Sequence, residues 1–315
     1  MSLKVFIDGK EGTTGLRIYE RLATRPDLEL LTLPDEFRKN PGARKDAIHS
    51  SDITILCLPD AAARESVALA EGSSTRILDT STAHRIQDGW AYGFAELSPN
   101  HRKAISEGYR VAVPGCHASG FISLVTPLTM AGILLKDSAL SCFSLTGYSG
   151  GGKKMIAQYE ENDRSKELDS PRQYGLTQVH KHVPEMTAIP GLTISPIFAP
   201  VVADFYSGMQ VTVPLHAAQL NCKNPMDDVL ECLKKHYANS SVVKVLGQDE
   251  VNAMGGFIPA NALSGRDGMQ LMVLGNSTRI QLVSLFDNLG KGSSGAALQC
   301  LNLMTGVEET TGLNL

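Results

Sequence analysis

Apolar positions in the first third of the chain gather into short runs, Leu3 to Ile7, Leu28 to Leu33, Ile53 to Leu58, Arg76 to Thr80 and Arg110 to Val113. Segments with helical spacing separate them. Strand-length runs alternating with helix-length ones predict a parallel sheet with crossover helices. Ile53-Thr-Ile-Leu-Cys-Leu58 is a continuous run, as expected of a strand covered on both faces. Beyond about residue 116 the rhythm changes. Ala118 to Leu135 predicts one long apolar helix, and Leu140 to Thr146, Met209 to Pro214, Met269 to Leu274 and Arg279 to Phe286 predict longer strands of a mixed or antiparallel sheet. Residues 150 to 190 are polar and too long for an idle connection, so they are expected to form a site. A last apolar helix, Ser294 to Met304, follows Gly290-Lys-Gly292 and is expected to return to the first domain.

Composition narrows this picture. A chain of 315 residues, 43% hydrophobic and 20% charged, can bury a large core and is closer to two domains than to one. The net charge of −4 provides no broad basic field, and no Lys/Arg block is interleaved with aromatics, so nucleic acid is not an expected partner. Six cysteines without a CxxC pair argue against a metal site and against a disulfide framework. No run approaches the roughly 20 apolar residues that span a bilayer, and the first residues lack leader character. A cytoplasmic protein with no membrane partner is the expectation.

The first strand runs into Gly9-Lys-Glu-Gly12-Thr13-Thr14-Gly15, and Leu16 to Leu22 continue with helical spacing. Glycines there let the backbone turn tightly and approach a pyrophosphate, while the helix start offers unpaired N–H groups to the anion. The spacing is GxxGxxG rather than the commoner GxGxxG, but a strand before it and a helix after it are the context that dinucleotide binding demands. Some 20 residues on, Asp35 or Glu36 would suit a ribose 2′-hydroxyl and Arg38 or Lys39 a 2′-phosphate, which leaves NAD and NADP both open.

Cys116 follows Pro114-Gly115 at the expected strand-to-helix junction. The helix N-terminal partial charge and its N–H donors favour thiolate, so Cys116 is the candidate nucleophile. The other five cysteines sit in runs such as Ile55-Leu-Cys57-Leu58 and are expected to pack as small apolar residues. A nucleophilic thiol benefits from a general base, and His180-Lys-His182-Val-Pro-Glu185 in the polar segment supplies two candidates, His180 and His182, of which at least one is expected to serve. Arg85, Lys153 and Lys154 are candidates for phosphate or carboxylate recognition. Asn288-Leu-Gly-Lys291-Gly292-Ser-Ser-Gly295 combines glycines with a helix start, a second backbone cradle for the nicotinamide end of a cofactor.

These motifs resemble, in order and along nearly the whole chain, the N-acetyl-gamma-glutamyl-phosphate reductase family of arginine biosynthesis, in its shorter variety. Gly9-x-x-Gly12-Thr-Thr-Gly15 is similar to the family's NADP turn, and Asp79-Thr-Ser-Thr-Ala-His-Arg85 with Tyr92-Gly-Phe-Ala-Glu96 to the segment before its nucleophile. Pro114-Gly-Cys116, Thr146-Gly-Tyr-Ser149-Gly150-Gly-Gly-Lys153-Lys154, the histidine motif and Asp287-Asn288-Leu-Gly-Lys291-Gly-Ser-Ser-Gly295 match the rest. The chain departs where longer members show Tyr-Pro-Thr after the nucleophile and here His117-Ala-Ser119 stands, and at Thr13, where they show Tyr.

The resemblance implies a Rossmann-type doubly wound sheet in residues 1–116 plus 290–315, and an α+β substrate, catalytic and oligomerisation domain with a mixed sheet in residues 117–289. It implies NADPH-dependent reduction of N-acetyl-gamma-glutamyl phosphate to the 5-semialdehyde and phosphate through a Cys116 thioester, with His180 first and His182 second as the proton-transfer group, in a homodimer or homotetramer. It further implies cofactor contacts from Gly9, Gly12, Thr13, Thr14, Gly15, Ser81, Ser149, Gly150, Asn288, Lys291 and Gly292, and substrate contacts from Arg85, Ser119, Lys153 and Lys154. Two other readings compete: an aspartate-semialdehyde type of dehydrogenase, and a noncatalytic NADP-binding redox sensor.

Overall fold

The apolar runs of the first third become β1 (Leu3–Asp8), β2 (Leu28–Leu31), β3 (Ile53–Leu56), β4 (Arg76–Asp79), the two-residue β5 (Ala91–Tyr92) and β6 (Arg110–Ala112). Four helices lie between them: α1 (Thr13–Leu22), α2 (Pro41–His49), α3 (Asp60–Leu69) and α4 (Pro99–Glu107). All pairings are parallel, in the order β2-β1-β3-β4-β6-β5. Strand order reverses around β1, and crevices at such switch points, beyond the carboxyl ends of the strands, are where doubly wound sheets take ligands. The glycine turn follows Asp8 at that place. Phe6, Ile48, Leu56, Ala63 and Ile77 form the core on one face.

This computed structural model describes residues 2–315, with Met1 outside the described residues. The chain divides into two units, residues 1–114 with 293–312 and residues 115–292 with 313–315. The second unit holds α5 (Cys116–Met130), β7 (Ser141–Gly147), α6 (Gly152–Glu160), β8 (Arg172–Gln173), α7 (Val183–Ala188), β9 (Ile197–Ala203) and β10 (Met209–His216). It continues with α8 (Pro225–His236), β11 (Val243–Val245), α9 (Gln248–Asn252), β12 (Met269–Gly275) and β13 (Arg279–Phe286). Helix α10 (Gly295–Thr305) then belongs to the first unit, where it packs on α4 and β4.

The second sheet is mixed, in the order β11-β12-β13-β10-β7-β9-β8. Parallel pairs β11/β12 and β7/β9 flank an antiparallel centre. One face is covered by α5, whose residues from His117 to Thr129 are all buried. The opposite face is covered over β12 and β13 by Leu246, Val251, Met254, Ile258 and Leu263, which pack on Met272, Val283 and Leu285. Over β7 and β9 it carries Phe143, 56% exposed, and Ile197, 63% exposed. Leu145 and Val201, both half-buried, stand opposite each other on that same face.

The long helix starts two residues earlier and stops five earlier than its apolar run. Gly132 adopts φ +69°, its N–H reaches Thr129 O at 3.2 Å, and Ile133 N–H reaches Leu128 O at 3.0 Å. That pattern closes a helix on a left-handed glycine. Inside the helix Pro127 has no N–H to give the carbonyl of Ser123. The Tyr237 hydroxyl donates to that oxygen instead, at 2.8 Å, so the buried carbonyl is satisfied from α8's end. Strand β9 has no counterpart among the expected strands, because Pro196 and Pro200 break its apolar run.

At Gly120 a Cβ would overlap Val211 and stand 2.9 Å from Phe286 Cε1, so α5 lies on the sheet at backbone contact. Gly120→Ala is expected to destabilise the protein by about 1 to 3 kcal/mol, against a helix-propensity gain near ~1 kcal/mol. A lowered urea midpoint with unchanged slope is the confirming measurement, and an unchanged or raised midpoint would refute the close-packing account.

Candidate active site

Cys116 is the first residue of α5, with Gly115 as an N-cap that makes no side-chain hydrogen bond. The first-turn amides are therefore available to an anion, and the partial positive charge of the helix end falls on the thiol. The sulfur-bearing residue is part-exposed, whereas Cys142 and Cys300 are buried. Burial pushes the Cys57 thiol up to about 12, so that sulfur stays protonated at neutral pH.

Two elements fix the turn. Glu185, 1% exposed, accepts the N–H of Gly115 at 3.1 Å and so ties α7 to the residue before the nucleophile. On the other side, a Cβ at Gly292 would lie 2.9 Å from Cys116 Cβ and 3.3 Å from Phe286 Cε2, so main chain abuts the nucleophile there. Gly292 is held by its own N–H to Asp287 O at 3.0 Å. The Asp287 carboxylate is in turn fully buried and accepts from Ser207 Oγ at 3.1 Å and Leu289 N at 2.8 Å.

Three imidazoles cluster at the thiol. The ligating atoms of Cys116, His117 and His182 all lie within 4.8 Å of one another. His180 is outside that set; its ring is 4.8 Å from that of His182, and its Nδ1 accepts the His182 N–H at 3.2 Å. The polar segment thus brings His182 within reach of the sulfur, with His180 hydrogen-bonded to it. His182 is the N-cap of α7, one turn before Glu185, which puts both on one face of that helix.

His117 is the residue that sequence reasoning treated only as a departure from the longer relatives. Its Nδ1 lies 2.6 Å from Ser144 Oγ and its Nε2 2.6 Å from the Tyr174 hydroxyl. Phe198 packs edge-on against the ring at 5.2 Å between centroids. Burial first, then the charges of His180 and Lys181, depress its pKa to about 3, so it is a neutral, doubly hydrogen-bonded post. Tyr174 is pushed well above the usual phenol range by burial and by the neighbouring Cys116. The only early signal for His117 was its adjacency to Cys116; Tyr174 and Ser144 had none.

The other expected contacts fall into three groups. Asn288 brackets the second unit: its Oδ1 accepts Gly208 N–H at 2.9 Å, and its Nδ2 donates to Ser149 Oγ at 3.0 Å beside Gly150. Lys291 is 1% exposed in the same turn. Ser119, one helical turn from Cys116, buries a hydroxyl that meets no hydrogen-bond partner, and Lys153 and Lys154 are exposed on the first turn of α6. In the first unit, Ser81 Oγ donates to Asp79 Oδ2 at 2.7 Å. Arg85 is buried there and donates to Val113 O at 2.9 Å and Thr80 O at 3.2 Å, bracing the end of β6.

The glycine turn also belongs to the first unit. Gly9 has φ +90° and would bring a Cβ to 2.5 Å from Cys57 O, so the fold itself requires it. At Gly12 a Cβ would meet only ordinary contacts, Gly9 O at 3.6 Å and Cys57 O at 3.7 Å, so the fold itself does not demand a glycine there. Thr14 Oγ1 pairs with Ser293 Oγ at 3.1 Å, while the buried Thr13 Oγ1 has no partner. Beside the turn lies a cavity of about 510 Å³ lined by Gly9, Lys10, Thr32, Asp35, Arg38 and Lys39 among others. Its inner wall is neutralised, since Asp8 accepts from Arg44 Nε at 3.1 Å and from Ser66 Oγ at 2.7 Å.

A thiol at a helix start, flanked by histidines over a mixed sheet, defines an enzyme of covalent acyl chemistry, and the comparisons agree on the class. Residues 116–288, more than half the chain, match the semialdehyde dehydrogenase dimerisation domain. Aspartate semialdehyde dehydrogenase II of Vibrio cholerae, complexed with ASA, superposes with a TM-score of 0.72 at 14% identity, covering 97% of this chain and 99% of that one. The Candida albicans aspartate semialdehyde dehydrogenase with NADP gives 0.70 at 15%, again over 97% and 99%. At such identities the likeness is one of fold. The N-acetyl-gamma-glutamyl-phosphate reductases of Brucella ovis and Brucella melitensis are each 47% identical over 310 residues, 97% of this chain and 100% of theirs. The chain belongs to the N-acetyl-gamma-glutamyl-phosphate reductase family.

Two outcomes are expected. Gly292→Ala should displace the thiol and lower turnover by up to about 10²-fold, the scale of a misplacement near 1 Å; full turnover would remove the wall. His117 binds a proton in the unfolded chain below about 6.5 but in the folded one only below about 3. Its contribution is therefore complete above pH 6.5 and is lost as pH falls through that window, by a few kcal/mol at about 1.4 per unit. Thermal melts of the protein and of His117→Gln should converge as pH drops from 7 to 4; parallel curves would contradict this.

Proposed function

We propose that the protein reduces N-acetyl-gamma-glutamyl phosphate to N-acetyl-L-glutamate 5-semialdehyde and phosphate, with NADPH, as a step of arginine biosynthesis. The observation that carries the reading is the meeting of Cys116 Sγ with His182 at the first turn of α5. His182 takes the thiol proton, and the sulfur attacks the acyl carbon. The developing oxyanion is stabilised by first-turn amides, a contribution of about 3 to 4 kcal/mol per donor at comparable sites. Phosphate leaves and a Cys116 thioester remains. Bound nicotinamide supplies the hydride that reduces this thioester. His182 then stabilises the thiohemiacetal oxygen, and collapse restores the carbonyl and expels the Cys116 thiolate. His117, neutral and pinned at both nitrogens, holds its place through these changes of charge. Ser119, Arg85, Lys153 and Lys154 remain the candidates for the substrate's phosphate and carboxylate.

The glycine turn fits the cofactor. The uncapped start of α1 at Gly12 and the orphaned Thr13 hydroxyl are what a pyrophosphate would meet. We assign Gly9, Gly12, Thr13, Thr14, Gly15 and Ser81 to cofactor binding in the first unit, with Ser149, Gly150, Asn288, Lys291 and Gly292 in the second. Arg38 and Lys39 at the cavity rim favour a 2′-phosphate, hence NADP. The open half of the second sheet, with Phe143 and Ile197, supports pairing into a homodimer or homotetramer. No described helix is long and apolar enough to cross a membrane, and all six cysteines are unbridged, which suits the cytoplasm.

Phosphate-dependent oxidation of N-acetylglutamate semialdehyde, compared with aspartate semialdehyde, tests the substrate; preference for the latter would overturn it. Cys116→Ala should abolish turnover while NADPH binding persists. His182→Ala should lower kcat by about 10² to 10⁴-fold and His180→Ala by less; the reverse order would reassign the base. Neutralising Arg38 and Lys39 should raise KM for NADPH by about tenfold or more and leave that for NADH unmoved.

A further inference from the structure

The cluster at α5 has a second chemical capability. Cys116 offers one sulfur, and His117 and His182 one imidazole nitrogen each, and the three donors lie within 4.8 Å of one another. We propose that these side chains form a binding site for a thiophilic divalent metal ion, Zn²⁺ in particular, and that its occupation reversibly silences the nucleophile.

The geometry is close to what such an ion takes. Zinc holds sulfur at about 2.3 Å and imidazole nitrogen at about 2.0 to 2.1 Å in a tetrahedron, which sets donors roughly 3.3 to 3.6 Å apart. Closing from 4.8 Å or less takes rotation of the Cys116 and His182 side chains by an ångström or so toward His117, which gives up one of its two hydroxyl bonds to the metal. The backbones need not move, because Cys116 and His182 stand at helix starts that Glu185 already ties together through Gly115 N–H. One thiolate and two imidazoles select zinc over magnesium or calcium, which prefer oxygen. Three protein donors with the fourth position left over is the pattern of an accessible zinc, not of a closed structural one.

His117 is suited to the task. Binding through one nitrogen leaves the other on its hydroxyl, Ser144 at Nδ1 or Tyr174 at Nε2, each now 2.6 Å away. An outer hydrogen bond of that kind orients metal-bound imidazoles. The buried Glu185 carboxylate, next door at Gly115, provides countercharge for the cation. A sulfur lone pair committed to metal is unavailable for attack on an acyl carbon. The donors come from Cys116-His117 and from the distant His182, so no paired-cysteine signature announces the site in the sequence.

The test uses the full chain without substrate, so that a wrong substrate assignment and a wrong metal assignment are separable. Competition with a chromogenic chelator is expected to give one Zn²⁺ per chain, and Co²⁺ a thiolate-to-metal charge-transfer band. Cys116→Ala and Cys116→Ser should both remove the band, and His182→Ala should weaken binding by more than about tenfold. The Cys222→Ser/Cys232→Ser double variant should bind as the parent does. Zn²⁺ should also slow alkylation of Cys116 by iodoacetamide, with the rate restored by chelator. Absence of stoichiometric binding, its persistence without Cys116, or its loss with Cys222 and Cys232 would overturn the proposal.

Discussion

The hydrogen bond from the Gly115 amide to the buried Glu185 carboxylate is the constraint on which the rest of the second unit's chemistry depends. It decides where α5 begins, and therefore which residue receives the unsatisfied amides of the first turn. Were the helix to start one residue later, Cys116 would lose its address and His117 would leave its two hydroxyl partners. A carboxylate acceptor makes a stronger bond than a neutral one, which suits a contact that must hold Pro114-Gly115-Cys116 in register. Because the same carboxylate lies one turn from His182, Cys116 and His182 are positioned by a single buried group.

Around this anchor the sulfur is enclosed by parts that cannot easily shift. Gly292 contributes main chain, which has no rotamers to explore, and His117 contributes a ring fixed at both nitrogens. His180 accepts the His182 N–H through Nδ1, so that nitrogen carries no proton.

Much of this was legible from the residues. Short apolar runs such as Ile53 to Leu56 became strands because continuous hydrophobicity between helical stretches has few other solutions. Cys116 was legible because Pro-Gly ahead of an apolar helix marks its junction. What stayed hidden was set by distance in sequence. Tyr174 and Ser144 reach His117 across 57 and 27 positions, and no local pattern encodes such a meeting. Proline masked β9, where Pro200 removes a donor yet the strand still pairs with β7. Arg85 also donates to the Val113 and Thr80 carbonyls, a structural duty that composition does not reveal.

Strand β7 is one residue thick, and alternation gives it two duties. Ser144 turns inward to hold the imidazole next to the nucleophile, while Phe143 on the other side is 56% exposed. Pressure on the outer side of this strand has no intervening layer in which to dissipate. Whatever rests against Phe143 acts on the same backbone from which the His117 post is suspended, so assembly and reactivity share a lever only a pleat deep.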